Sequence, residues 1–418
     1  MAQLSDDCFA FGGALLSVEA AAALIAARVP PLGGTETVPL ARARGRVLAA
    51  DLFAPHPLPP FFNSAVDGYA FRHADLRAGE ETRLRLAGRL AAGQQAAAAL
   101  APGTACRILT GAPMPPGADT VMMQEDARLE GGALLLPAGL RLGANCRPAG
   151  EDVAQGALAL PAGRLLDPPA IGLAAALGLP ALAVTARPRI GVFSTGDELA
   201  TPGTPLGPAQ TFDSNRFSLL ALLAGLPVEP VDLGILPDRA EATRAALREA
   251  AGAHDMLLTS GGVSAGEEDH VRAAIEAAGS LVFWRLALKP GRPAAMGVIG
   301  GTPVLGLPGN PVAAFVTFLH LARPLALRLC GAAPVPLPRF LAEAAFPYRK
   351  KAGRREYVRV TLCPGAPGGL PVAAKYAREG AGLLSSLTQS DAFAELPEES
   401  LGVAPGDRLV VLPFAGLF

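Results

Sequence analysis

Three polar loops hold the residues whose types and spacing could do chemistry. Ser194-Thr195-Gly196-Asp197-Glu198 follows a strand-like run, and Leu307-Pro308-Gly309-Asn310-Pro311 precedes a long apolar stretch. Thr259-Ser260-Gly261-Gly262-Val263-Ser264-Ala265-Gly266-Glu267-Glu268-Asp269 separates a strand-like run from a helix-like one. This loop says the most. Its glycines let backbone N–H groups turn toward an anion, and Ser260 and Ser264 add hydroxyl donors. Glu267, Glu268 and Asp269 add carboxylates, which repel a bare phosphate but hold one through a divalent cation. Donors and acids in one loop therefore point to a phosphate bound with Mg²⁺. No Gly-Lys-Ser/Thr follows, so this is not a Walker loop, and it is not GxGxxG. The alternative is a tight connection whose acids cap the next helix.

Lys289-Pro290-Gly291-Arg292-Pro293 is a stiff turn presenting two cations. Such a turn clamps a dianion with little conformational entropy left to lose; a solvated basic turn is the plainer reading. Three N-terminal islands, residues 63–70, 107–119 and 145–152, each read alone as turns with Asx caps. The five histidines have no metal-ligand spacing, and no Ser–His–Asp order is readable. His320 reads as a satisfied core residue, and Trp284 and the segment 315–318 as core rather than a stacking platform.

The elements that must position these loops come from the pattern between them. A helix at 18–28 follows Ser17, a fitting N-cap. Short β-like runs at 83–87, 104–109, 120–124 and 133–136 are punctuated by glycine. After Arg187, strands at 189–193, 228–233 and 256–259 alternate with helices capped by Asn215 and spanning 239–251 and 269–278. That rhythm belongs to a parallel sheet covered on both faces, with ligands beyond the carboxyl ends of its strands. Two close strands at 294–299 and 304–307 lead to a helix over 312–329 that Pro324 can kink. From Pro334 the pattern returns to β, with 356–362 alternating and 407–413 closing a barrel. Five cations between Arg349 and Arg355 read as a solvated basic turn. Three blocks follow: 1–187, 188–332 and 333–418.

The chain has 418 residues, too many for one ordinary domain, and a formal net charge of −1, which excludes a sustained basic field for non-specific nucleic-acid binding. It is 50% hydrophobic with 48 glycines and 40 prolines, a packed chain with many turns. Five cysteines without a CxxC indicate neither a zinc cluster nor a disulfide framework, and a reduced, cytoplasmic setting is expected. Asp6, Asp7 and Glu19, with no basic n-region, argue against a signal peptide. The uncharged stretches 168–186 and 293–322 are broken by Pro and Gly turns, so no membrane span is expected.

Taken in order, the islands 64–70, 107–119, 145–152, 195–199, 213–215, 232–238, 260–269, 289–293 and 306–312 resemble the molybdopterin molybdenumtransferases, the molybdenum insertases of molybdenum cofactor biosynthesis. The likeness runs from about Ser17 to the C-terminus. It implies an elongated N-terminal region with an inserted β domain, a central α/β domain with a parallel or mixed sheet, a C-terminal β-barrel, and a homodimer. It implies Mg²⁺-dependent cleavage of adenylylated molybdopterin, release of AMP, and insertion of molybdenum from molybdate. By the resemblance, Thr195, Gly196, Ser260, Gly261, Gly262, Ser264, Pro308 and Asn310 bind the pterin nucleotide. Glu198, Asp238 and Asp269 hold Mg²⁺ or orient water, and Lys289 and Arg292 neutralise oxyanion charge. Asp67, Thr110, Arg147 and Asp152 complete the cleft, from the partner subunit in a dimer, and Arg359 matches a C-terminal arginine of the family. Transfer partners would be molybdoenzymes and their chaperones. Val66, Arg292, Ala381 and the segment Ser390-Asp391-Ala392 depart from the usual family pattern. A molybdopterin adenylyltransferase and a non-catalytic carrier or scaffold are the competing readings.

Overall fold

Ser17 does cap the first helix: its Oγ accepts from the Ala20 N–H at 3.1 Å, and the helix runs Val18–Arg28. A computed structural model describes residues 15–236, 239–263 and 270–417, apart from the side chain of Trp284. Val18, Ala21 and Ile25 are the buried side of this helix and join the largest core of the molecule. Strand Thr35–Pro39 then pairs antiparallel with Ala181–Thr185, bracketing an insertion. Inside the insertion is a six-stranded mixed sheet in the order Thr120–Met123, Gly68–Phe71, Thr104–Ile108, Thr82–Leu90, Ala133–Leu136, Arg128–Glu130. Phe71, Leu84, Leu134 and Leu136 lie in its core.

The central sheet has six strands, in the order Glu229–Leu236, Arg189–Thr195, Met256–Ser260, Thr302–Leu307, Ala295–Ile299, Ser280–Trp284. The first four are parallel, and the last two are antiparallel. A parallel rhythm thus ends in a hairpin, turned by Gly300 and Gly301, which take φ values of 58° and 94° that favour glycine. Register decides where the chemistry lies. Ser194 pairs with Ser260 and Ser260 with Leu307, so all three polar loops leave adjacent strands at the same edge.

The long apolar helix is α-helical over Pro311–Thr317 and Arg323–Leu329, with a π segment at Phe318–Ala322 between them. The irregularity precedes Pro324, whose missing N–H cannot bond back toward that turn. Residues Pro311–Leu329 are long and apolar enough to cross a membrane but are 78% buried within the protein. His320 sits in the π segment, buried, its ring 4.8 Å from that of Tyr357. It is not satisfied as expected: Nε2 has no hydrogen-bond partner among the described residues. Burial, helped by the positive field of Arg339, Arg355 and Arg323, pushes its pKa down to about 3. The unfolded chain therefore binds a proton at His320 that the native chain refuses, and stability falls as pH drops from about 6.5 toward 3. His320→Phe is expected to flatten that part of the stability curve, as urea unfolding at several pH values would show.

The C-terminal strands close on themselves in a five-stranded barrel: Arg355–Cys363, Val372–Lys375, Phe340–Ala344, Arg408–Pro413, Ala392–Leu396, and back to Arg355–Cys363. Leu288–Lys289 of the central block joins the barrel beside Arg355 and Glu356. The basic run before it is not simply solvated. Lys350 is buried, and its Nζ donates to the carbonyls of Pro397 at 2.7 Å, Ser400 at 2.8 Å and Glu398 at 3.3 Å. Arg355 bridges Glu19 of the first helix and Glu398, the latter at 3.0 Å.

Candidate active site

A cleft of about 770 Å³ opens at the carboxyl edge of the central sheet, lined by all three polar loops. Ser194 and Thr195 end the first strand rather than start a loop, so both are buried at the cleft floor. Thr195 Oγ1 is buried without a partner among the described residues. Gly196, at φ 144°, lies so close to the Glu198 carboxylate that a Cβ there would collide with it. Glu198 itself is exposed at the rim. Gly261 takes φ 98°, and a Cβ on it would stand 2.8 Å from the Thr195 carbonyl oxygen; at Gly262 (φ 66°) it would meet Val271 at 2.7 Å. The second loop therefore packs backbone on backbone against the first. Gly261→Ala is expected to lower stability by about 1–3 kcal/mol, read from urea unfolding.

Asn215 ties the loops together. It does not cap its helix as expected; Ser214 occupies the N-cap. Instead the Asn215 amide donates to Ser260 Oγ at 2.8 Å and to the Gly309 carbonyl at 2.7 Å. One side chain thus fixes the second loop to the third, beside Pro308 and Asn310. Behind it, Asp213 is buried and accepts from Ser194 Oγ at 3.0 Å and from Arg216 Nε at 2.8 Å. Arg216 also donates to Asp232, at 2.6 Å from Oδ2. Burial opposes the guanidinium charge, but the hydrogen bonds it donates to both carboxylates outweigh that and hold its pKa above the usual value.

Lys289 stands in a neighbouring cavity of about 210 Å³, lined also by Tyr348, Glu356, Arg359, Lys375, Tyr376 and Arg378. Its Nζ donates to the buried Glu356 at 2.9 Å and to the Tyr348 hydroxyl at 3.3 Å. Burial works against its charge, and these two partners more than compensate, raising its pKa. Arg359 donates to Ser386 Oγ at 2.7 Å and the Gly380 carbonyl at 2.8 Å. Residues 380 and 381 line this cavity and 382 and 384 line the cleft, so one barrel segment borders both. Arg292 is exposed and lines neither.

The N-terminal candidates gather elsewhere. Asp67 accepts from the Thr110 N–H at 2.8 Å and its hydroxyl at 2.7 Å, which holds the carboxylate pKa below its usual value. Arg147 is on the strand that pairs with Asn63–Ser64, and the Asp152 N–H donates to the Leu58 carbonyl at 2.9 Å. Asp67, Thr110, Arg147 and Asp152 do not line the central cleft of their own chain. Asp238, Ser264 and Asp269, with Glu267 and Glu268, lie outside the described residues. Among the described residues no cluster of three or more His, Cys, Asp or Glu could by itself hold a metal.

Three family models match the chain: MoeA N-terminal region (domain I and II) over residues 16–178, probable molybdopterin binding domain over 191–328, and MoeA C-terminal region (domain IV) over 342–414. A molybdopterin molybdenumtransferase of Haemophilus influenzae is 36% identical over 402 residues, spanning 96% of this chain and 99% of that protein. The chain belongs to the molybdopterin molybdenumtransferases. Molybdopterin molybdenumtransferase 2 of Mycobacterium tuberculosis is 37% identical over 387 residues, 90% of this chain and 94% of its own. The crystal structure of the molybdopterin biosynthesis moeA protein from Pyrococcus horikoshii OT3 matches with TM-score 0.82 at 29% identity, covering 96% of this chain and all of that one. As a molybdopterin molybdenumtransferase family member, the chain has the multidomain fold that the motifs imply: an α/β centre, N-terminal domains and a closed barrel. What sequence reasoning missed are the supporting groups, Arg216, Tyr348 and Glu356. The island 213–215 stood next to the first of these; no spacing marks the other two.

Proposed function

We propose that this chain inserts molybdenum from molybdate into adenylylated molybdopterin with release of AMP. The observation that carries the reading is the register that brings three donor-rich loops to one sheet edge, where Asn215 joins two of them. Thr195, Gly196, Ser260, Gly261 and Gly262, with Pro308 and Asn310, would cradle the pterin nucleotide phosphates. The Thr195 hydroxyl, unpartnered among the described residues, and the close backbone approach at Gly261 suit an anionic ligand on this floor. Ser264 would add a donor from the second loop.

Mg²⁺ fits the rim on one observation: the Glu198 carboxylate is exposed in the cleft and nestled against a glycine that leaves it room. Mg²⁺ is typically held by one or two carboxylates with substrate phosphates and waters rather than by a full protein cage. Glu198, with Asp238 and Asp269, would hold it, and it would supply charge neutralisation at the pyrophosphate. Glu198 also orients water toward the same link. Lys289 and Arg359 would hold the tetrahedral oxyanion in the smaller cavity, with Arg292 offering charge at its approach. The raised pKa of Lys289 keeps it a cation through neutral pH. Asp67, Thr110, Arg147 and Asp152 would reach the cleft of a second copy in a homodimer. The same proposal divides the chain at 187/188 and 332/333, sets it in the cytoplasm, and makes molybdoenzymes or their chaperones the acceptors.

The test mixes purified protein, adenylylated molybdopterin, molybdate and Mg²⁺ and follows AMP by chromatography. AMP formation that requires both ions is expected. If no AMP forms while ATP and molybdopterin give pyrophosphate, the chain is an adenylyltransferase instead.

A further inference from the structure

Beside the Lys289 cavity lies a second concavity that the reaction above does not use. Its volume is about 340 Å³, and Lys289 and Glu356 line both, so the two meet at that ion pair. Arg349, Lys351 and Arg354 form its outer wall. None of these three makes an ion pair among the described residues, and Arg349 and Lys351 are exposed. Free arginines and lysines are ordinary on a protein surface. What distinguishes these is the way their turn is held. Lys350, between them, points inward onto the Pro397, Glu398 and Ser400 carbonyls at 2.7, 3.3 and 2.8 Å. The Lys350 N–H donates to the Leu401 carbonyl at 2.9 Å and the Gly353 N–H to the Glu398 carbonyl at 2.8 Å. Five hydrogen bonds therefore fasten the turn to the loop opposite, and its three outer cations start from an ordered backbone.

Further inside, the small cavity adds Arg359, Lys375 and Arg378. Against seven arginines and lysines on the two walls, with Lys289 where they meet, the lining acids are Glu356 and Glu379. In a chain of net charge −1, this concentrates positive potential along one path. Concave walls of one sign focus the field and raise local counter-ion concentration. The volumes suit a small tetrahedral ion rather than a pterin nucleotide.

We propose that Arg349, Lys351 and Arg354 form an outer oxyanion subsite that captures a tetrahedral dianion and delivers it to the cavity at Lys289. The assignment of molybdate as that ion rests on the function proposed above; the capture of an oxyanion does not. The shared chemistry of molybdate and of a nucleotide phosphate is separated by the probes. Equilibrium dialysis of the full chain against molybdate alone, and against AMP alone, is compared with the triple variant Arg349→Glu/Lys351→Glu/Arg354→Glu. A control reverses three exposed arginines elsewhere, Arg42→Glu/Arg44→Glu/Arg77→Glu. Molybdate affinity is expected to fall about tenfold in the first variant and not in the control, with AMP affinity unchanged. The wild-type affinity should also weaken with added salt more steeply than that of the variant. Equal molybdate affinity in the wild type and the triple variant overturns the proposal, as does a loss confined to AMP. In turnover, KM for molybdate should rise with kcat unchanged. A wild type that binds molybdate but releases no AMP would sink the function while leaving this subsite standing.

Discussion

Glu198→Gln is expected to slow AMP release by roughly 10²–10³-fold while the thermal unfolding midpoint stays at the wild-type value. The side chain is exposed, so removing its charge disturbs no packing. The amide keeps the shape that lies against Gly196. What disappears is a negative group at the rim, the group that would hold a divalent cation against the substrate phosphates. Raising the Mg²⁺ concentration should recover part of the rate, which a merely structural role would not allow. Undiminished AMP release at ordinary Mg²⁺ would remove Glu198 from the mechanism.

Arg216→Met should be the most damaging change outside the contact surface, lowering stability by about 3–5 kcal/mol. Methionine fills similar space but leaves Asp213, which is 1% exposed, as a buried carboxylate without its cation. Among the described residues, Ser194 Oγ and the residue-216 backbone N–H would remain as its donors. Arg216→Lys keeps the charge but cannot bridge Asp213 and Asp232 with a planar fork, and should fall between the two. Urea unfolding measures the loss. A variant as stable as the wild type would show that the Asp213–Arg216–Asp232 chain does not support the cleft floor.

The elements were largely legible because their periodicity is local. Val18–Arg28, Ala181–Thr185 and the closing strand Arg408–Pro413 lie within a residue of where hydrophobic pattern and caps put them. The three polar loops were legible for a related reason: strand ends in an open α/β sheet place such residues together. The failures share a different cause. Local pattern gives Asn215 to its own helix, yet its partners are 45 and 94 residues away. Lys350 belongs to a charge run, which ordinarily faces solvent, and only the loop at 397–400 reveals otherwise. His320 reads from sequence as satisfied, since nothing local shows that a buried ring nitrogen lacks a partner. Nor could Ser280–Trp284 be identified as an antiparallel edge before its neighbour was known. Tertiary hydrogen bonds, not propensities, decide these cases.

The barrel segment that borders both hollows has a bearing on engineering. The Val312 N–H donates to the Ala381 carbonyl at 2.9 Å, joining the start of the long helix to that segment. A central α/β piece expressed alone would be missing a wall, and a chimera taking its barrel from one orthologue and its middle from another would need this seam to match. Interchangeable parts should therefore keep everything after residue 188 together with the helix Val18–Arg28, whose buried side shares the same core.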